Sequence, residues 1–96
     1  MKIAIYGLSN DNTSKKIFLE LLSIAKKHDV ELVLEKEFNS IISDKNSSNK
    51  IFVNHKDLDR TYDLMITIGG DGTLLRSITY VRDLGIPIMG INTGRL

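Results

Sequence analysis

Apolar residues along this chain alternate between short unbroken runs and longer stretches of helical period. Lys2 to Gly7 is short, apolar and closed by glycine, the pattern of a buried first strand. Leu8 to Thr13 is polar. Asn12 or Thr13 can cap the next helix there, because a short side-chain oxygen accepts a free backbone N–H. Ile17, Phe18, Leu21, Leu22, Ile24 and Ala25 then recur as one apolar helical stripe, and Lys26, Lys27 and His28 stand where cations suit a helix C-terminus. Val30 to Leu34 alternates as a second strand.

Glu35 to Asp44 reads as a short helix with Phe38, Ile41 and Ile42 inward. Lys45 to Lys50 is the most loop-like stretch and is expected to be mobile, and Ile51 to Val53 is either a short strand or a buried turn. Asp63 to Ile68 is a clear third strand. Thr73 to Leu84 is a helix with Leu74, Ile78 and Val81 on one face, stopped by Gly85. Ile86 to Ile91 is a fourth strand with Pro87 at its start, where a missing N–H does least harm, and Asn92 to Arg95 turns out of it. Strand, helix and strand follow one another twice. That order predicts a parallel sheet wrapped by helices.

Composition narrows the setting without naming a function. With 96 residues there is room for one small domain, and 42% hydrophobic with 26% charged residues is ordinary for a globular chain. A domain this small buries proportionally little surface. The chain also stops at Arg95-Leu96 without a winding-down segment, so a fragment or a first domain is expected. The net charge of +1 offers no electrostatic argument for nucleic acid or membrane, and neither is expected as a partner. There is no cysteine, so neither disulfides nor a thiolate metal site can form. The N-terminal apolar run is too short for a signal peptide, and no run approaches the roughly 18 residues of a membrane span; a cytoplasmic protein is expected.

The candidate chemistry lies where the third strand breaks off in Gly69-Gly70-Asp71-Gly72-Thr73. Ligands of open α/β sheets bind at the carboxyl ends of strands. Glycines let a ligand approach the main chain, and the unpaired N–H groups of the following helix suit phosphate oxygens. No lysine follows as in a Walker-type loop, and Gly-x-Gly-x-x-Gly is absent. A hydroxyl that attacks a phosphoryl group must lose its proton, and Asp71 is the carboxylate to accept it. The plainer alternative makes Asp71 only a helix cap and dipole partner. His28 reads as a surface histidine and His55 as part of a solvated loop; their spacing matches no metal-ligand pattern, and no metal residue is assigned.

Gly69-Gly70-Asp71-Gly72-Thr73 resembles the glycine turn of a superfamily of kinases acting on NAD, lipids and sugar phosphates. Gly90-Ile-Asn-Thr-Gly-Arg-Leu96 resembles the second motif of the NAD kinases in particular. The specific resemblance covers residues 60–96. It implies a Rossmann-like N-terminal domain that transfers the γ-phosphate of ATP to the 2′-hydroxyl of the adenosine ribose of NAD, giving NADP. Mg²⁺ would arrive with ATP, and polyphosphate is a further candidate donor. By the same resemblance Asp71 is the proton acceptor. Gly70, Asp71, Gly72, Thr73, Arg76 and Asn92 bind nucleotide, and Gly94 belongs to the second motif, with Arg95 beside it. A second, all-β NAD-binding domain and a homo-oligomer are expected for such a protein, and these 96 residues alone are expected to be nearly inactive. A lipid kinase and a non-catalytic nucleotide-binding module are the alternatives.

Overall fold

The computed structural model describes residues 1–44 and 47–93. Five strands form one sheet in the order β3-β2-β1-β4-β5, with β1 at Lys2–Gly7, β2 at Glu31–Glu35, β3 at Lys50–Phe52, β4 at Leu64–Gly69 and β5 at Ile88–Asn92. Every neighbouring pair is parallel. The chain moves outward one way from β1 through β2 to β3, then returns to place β4 on the other side of β1. The topological switch point therefore lies between β1 and β4, where ligands of open α/β sheets bind.

The helices α1 (Asn12–His28) and α2 (Lys36–Ile42) cover one face of the sheet, and α3 (Asp71–Val81) covers the other. Right-handed crossovers demand this split when the direction of travel reverses. On the first face Ile3, Ile5, Leu34, Ile66 and Ile68 pack against Phe18, Phe38 and Ile42. On the second, Ala4, Val33 and Met65 meet Phe52, Leu58, Tyr62, Val81 and Ile86. Both faces of β1 and β4 are buried, which is why these strands read as continuous apolar runs.

Several boundaries differ from the sequence pattern for local reasons. The cap of α1 is Asp11, not Asn12 or Thr13: its carboxylate accepts the Ser14 N–H at 2.8 Å, so Asn12 and Thr13 already lie inside the helix. Glu35 ends β2 and caps α2, accepting the N–H groups of Glu37 and Phe38 at 2.9 Å each. Of the three residues expected inward in that helix, Phe38 and Ile42 are buried and Ile41 is exposed. The stretch around Ile51 is a true strand, and it begins at Lys50. Lys45 and Asn46 of the expected loop, and Gly94, Arg95 and Leu96 of the second motif, lie outside the described residues.

The largest difference concerns α3. The expected inward face was Leu74, Ile78 and Val81, but the buried residues are Thr73, Ser77 and Val81, while Leu74 and Ile78 remain 38% and 52% exposed. The helix begins at Asp71, two residues before Thr73, and packs close to the sheet. Thr67 and Gly90 are small there, and Leu74 lies over them. Ser77 tolerates burial because its hydroxyl donates to the Leu74 carbonyl within the same helix. The helix also stops earlier than Gly85. The backbone turns at Arg82, with φ 47°, whose N–H donates to the Ile78 carbonyl at 2.9 Å.

Candidate phosphoryl-transfer site

Gly69 closes β4 with φ +154°, a conformation that L side chains rarely adopt, and a Cβ built there would stand 2.5 Å from Thr73 Oγ1. The fold itself requires this glycine. Gly70 and Gly72 are different: neither has a positive φ, and a Cβ on either would meet nothing within 4 Å. A glycine in a helix is less stable than alanine by about 0.8–1.0 kcal/mol. Gly72 carries such a penalty with no local reason for it.

Asp71 stands between these two open positions as the first residue of α3. The cap is Gly70, which has no side chain, so the reading of Asp71 as the helix cap does not hold. Its carboxylate still benefits from the positive end of the helix. The first intrahelical bond runs from the Leu74 N–H to the Gly70 carbonyl at 3.2 Å. The N–H groups of Asp71, Gly72 and Thr73 precede that bond and have no intrahelical partner. The turn thus joins an exposed carboxylate, free main-chain donors and unobstructed space.

The two motifs meet in space. Gly69 and Asn92 are register partners across β4 and β5, and the Thr93 N–H donates to the Gly69 carbonyl at 3.1 Å. Thr67, Gly69, Gly70, Asp71, Leu74, Gly90 and Asn92 together line a concavity of about 210 Å³. Thr73 is buried beneath Gly69 and turned from the opening, whereas Gly72 is exposed beside it.

Arg76 is not part of this concavity. At 3.6 residues per turn it lies about 140° around α3 from Asp71, and it lines a larger cleft of about 690 Å³ at the carboxyl ends of β1 and β2. Tyr6, Leu8, Glu35, Val53 and Tyr80 share that cleft. The Tyr80 ring packs 5.0 Å from Tyr6 and 5.3 Å from Phe52, centroid to centroid. Burial pushes the Tyr80 phenol up to about 12, Glu35 adding to the effect and Arg76 opposing it, so the hydroxyl stays protonated. The sequence pattern did not single out Tyr6, Glu35 or Tyr80. The signal was present: Tyr6 and Glu35 stand at the carboxyl ends of β1 and β2, and Tyr80 lies one helical turn beyond Arg76.

Among the described residues no group of three or more His, Asp or Glu side chains converges to hold a metal ion. Asp11 and Asn12 follow β1 at the same sheet edge as Asp71, and Asp11 is engaged in capping α1.

A doubly wound parallel sheet with a bare glycine turn and one exposed carboxylate at the carboxyl end of β4 is an open α/β domain with its candidate site where such sheets bind ligands. The chain belongs to the ATP-NAD kinase N-terminal domain family, whose model matches residues 3–96. It is 42% identical over its whole length to the NAD kinases of Flavobacterium psychrophilum and of Christiangramia forsetii, and 37% identical to that of Bacteroides fragilis. The chain spans about a third of the length of these relatives, 34% in the first two. Among solved structures, yeast NADH kinase complexed with NADH superimposes with a TM-score of 0.73 at 18% identity, covering all of this chain and 32% of the other; this likeness is one of fold. An NAD kinase from Archaeoglobus fulgidus in complex with ATP superimposes with a TM-score of 0.53 at 26% identity, over 99% of this chain and 29% of the other.

Proposed function

We propose that this chain is the N-terminal, base-bearing part of an enzyme that transfers the γ-phosphate of MgATP to the 2′-hydroxyl of the adenosine ribose of NAD. The observation that carries this reading is the pair of glycines, Gly70 and Gly72, that the fold does not require and that leave Asp71 open on both sides. Family membership and the hydrogen-bonded meeting of the two motifs support the same reading.

In this reaction the ribose hydroxyl lies against the Asp71 carboxylate, which takes its proton as the oxygen attacks the γ-phosphorus. A new P–O bond forms to the ribose, the bond to the β-phosphate oxygen breaks, and ADP leaves. The N–H groups that open α3 hold the equatorial phosphoryl oxygens without having to reorganise. Gly70 and Gly72 let both reactants approach the main chain, while Thr73 under Gly69 sets the shape of the turn. Asn92, the register partner of Gly69, borders the acceptor side, and Arg76 lies toward the donor's phosphates. The donor would arrive as its Mg²⁺ complex, the ion neutralising charge on the phosphates. We place the reaction in the cytoplasm and in a homo-oligomer. The remaining two thirds of the length seen in the relatives would supply a β-rich domain that closes over NAD.

The test is NADP formation from MgATP and NAD by the complete protein that carries these residues, beside Asp71→Asn. The variant is expected to lose about 10²–10⁴-fold in turnover while keeping its thermal unfolding midpoint. Undiminished turnover would remove Asp71 from the role of base.

A further inference from the structure

The face of the sheet that carries α1 and α2 runs short of helices at β5. A helix with its side chains is about 10–12 Å across and strands lie about 4.7–4.9 Å apart, so one helix covers about two strands. Here α2 packs on β2 and β3, and α1 reaches from β2 to β4 across β1, which leaves β5 at the rim. Met89 and Ile91 of β5 are register partners of Ile66 and Ile68, whose side chains lie in the core on the α1 side, so both point to that face. One flank of α1, with Lys15, Leu19 and Leu22, faces α2. The opposite flank looks toward β5 and carries Ile17, Leu21 and Ile24 at i, i+4 and i+7. Ile24 and Met89 remain 56% and 47% exposed, and Ile17, Leu21 and Ile91 are half-buried. The exposed Glu20 and Lys27 flank this stripe on its solvent side. Together α1 and β5 form an apolar trough with a charged rim.

The shape and setting of the trough select its occupant. All-parallel sheets bury both faces, and in α/β proteins helices do the covering. An apolar stripe along a helix flank is matched by a second helix packed about 8–10 Å away. A strand-helix-strand crossover running outward from β5 would put its helix on the α3 side, because such crossovers are right-handed. The cover of the α1 side is therefore not part of such a crossover. The chain spans 34% of the length of the Flavobacterium psychrophilum and Christiangramia forsetii relatives, so about two thirds of such a protein lies outside it. A segment of the same polypeptide fills the trough without the loss of translational and rotational freedom that a separate partner suffers.

We propose that in the complete protein this trough is filled by an amphipathic α-helix of the same polypeptide, from outside residues 1–96. Its apolar face lies against Ile17, Leu21, Ile24, Met89 and Ile91. The helix rests on β5, the strand that brings Asn92 and Thr93 to the glycine turn. The proposal concerns how the sheet is closed and does not depend on the phosphoryl-transfer reading.

The first experiment measures thiol alkylation in the complete protein, at sites in a region that has no cysteine of its own. Ile24→Cys places a thiol in the trough, and Ser23→Cys places one on the neighbouring exposed position of the same helix, away from the sheet. The thiol from Ile24→Cys is expected to react about 10²-fold more slowly than that from Ser23→Cys, because it must wait for a local opening. Dilution should leave that ratio unchanged. Equal rates would mean that nothing covers the trough, and protection that fades on dilution would mean that a second copy covers it; either overturns the proposal. The second experiment identifies the cover. The photo-crosslinker p-benzoylphenylalanine, placed at Ile24 or separately at Met89, is expected to crosslink within one chain to a single segment, at positions three or four residues apart. Crosslinks between chains, or at every second residue as in a strand, would also overturn it. Neither readout uses turnover, so a failure of the NAD kinase reading would leave both results in place.

Discussion

Gly7 ends β1, and Gly70 and Gly72 follow the neighbouring strand β4, and these glycines are there for unlike reasons. At Gly7 a Cβ would stand 2.6 Å from the Phe38 ring, so the glycine exists to let α2 press its largest side chain onto the sheet. That ring is fully buried and meets Phe18 edge-on at 6.2 Å. At Gly70 and Gly72 there is nothing to press against. A residue type explained by packing carries no functional message. The same type left unexplained beside an exposed carboxylate points to a ligand. Interior strands and the edge strand β5 differ in a related way. The strands β1 and β2 are buried toward their carboxyl ends, whereas β5 leaves Met89, Gly90 and Asn92 exposed.

The contrast can be tested from its packed end. Phe38→Ala should destabilise the fold by about 3–5 kcal/mol, read as a shift in the urea midpoint; a loss under 1 kcal/mol would mean that α2 is dispensable to the core. At the open end, Gly72→Ala should do the opposite to stability and function. It should raise stability by up to about 1 kcal/mol and lower turnover of the complete protein by about 10²-fold. A variant that is both more stable and fully active would remove the reason given for this glycine. Gly7→Ala should cost about 1–3 kcal/mol through the collision with Phe38, and the double variant Gly7→Ala/Phe38→Leu should recover part of that loss. Failure to recover would locate the strain elsewhere.

The smallest effect comes from the carboxylates that hold local structure. Hydrogen bonds from the Val53 and Asn54 N–H groups hold the Asp57 carboxyl below its ordinary value of 3.8, and bonds from Thr61 do the same for Asp59. The Ser14 N–H lowers Asp11. A folded-state value below the unfolded one stabilises the fold at every pH above the unfolded value. That contribution fades as pH falls through the lower folded value. Stability should therefore drop between about pH 4 and pH 2. Asp57→Asn should flatten part of that drop. All three structural carboxylates are exposed, so the shift for any one of them should be small.

Much of the architecture was legible one residue type at a time. The runs Lys2–Gly7 and Leu64–Gly69 declare buried strands because both of their faces need apolar side chains, and the glycine turn declares itself because three glycines around one aspartate suit close approach by a ligand. The buried face of α3 could not be read in the same way. Leu74 and Ile78 follow the helical period better than Thr73 and Ser77, yet the small residues face the sheet. Hydropathy therefore did not decide that face; Thr73 packs under Gly69 instead.

The local sequence by itself determined the alternation of strands and helices and the chemistry available at Gly69 to Thr73, because each depends on neighbours within a few residues, and that alternation in turn implied a parallel sheet. Only the tertiary structure decided that β4 returns beside β1, that Thr93 bonds to Gly69, and that Arg76 faces a different cleft from Asp71 and Asn92. Those outcomes depend on strand order and on the angular position of a side chain around its helix. Both are settled only when distant segments pack together.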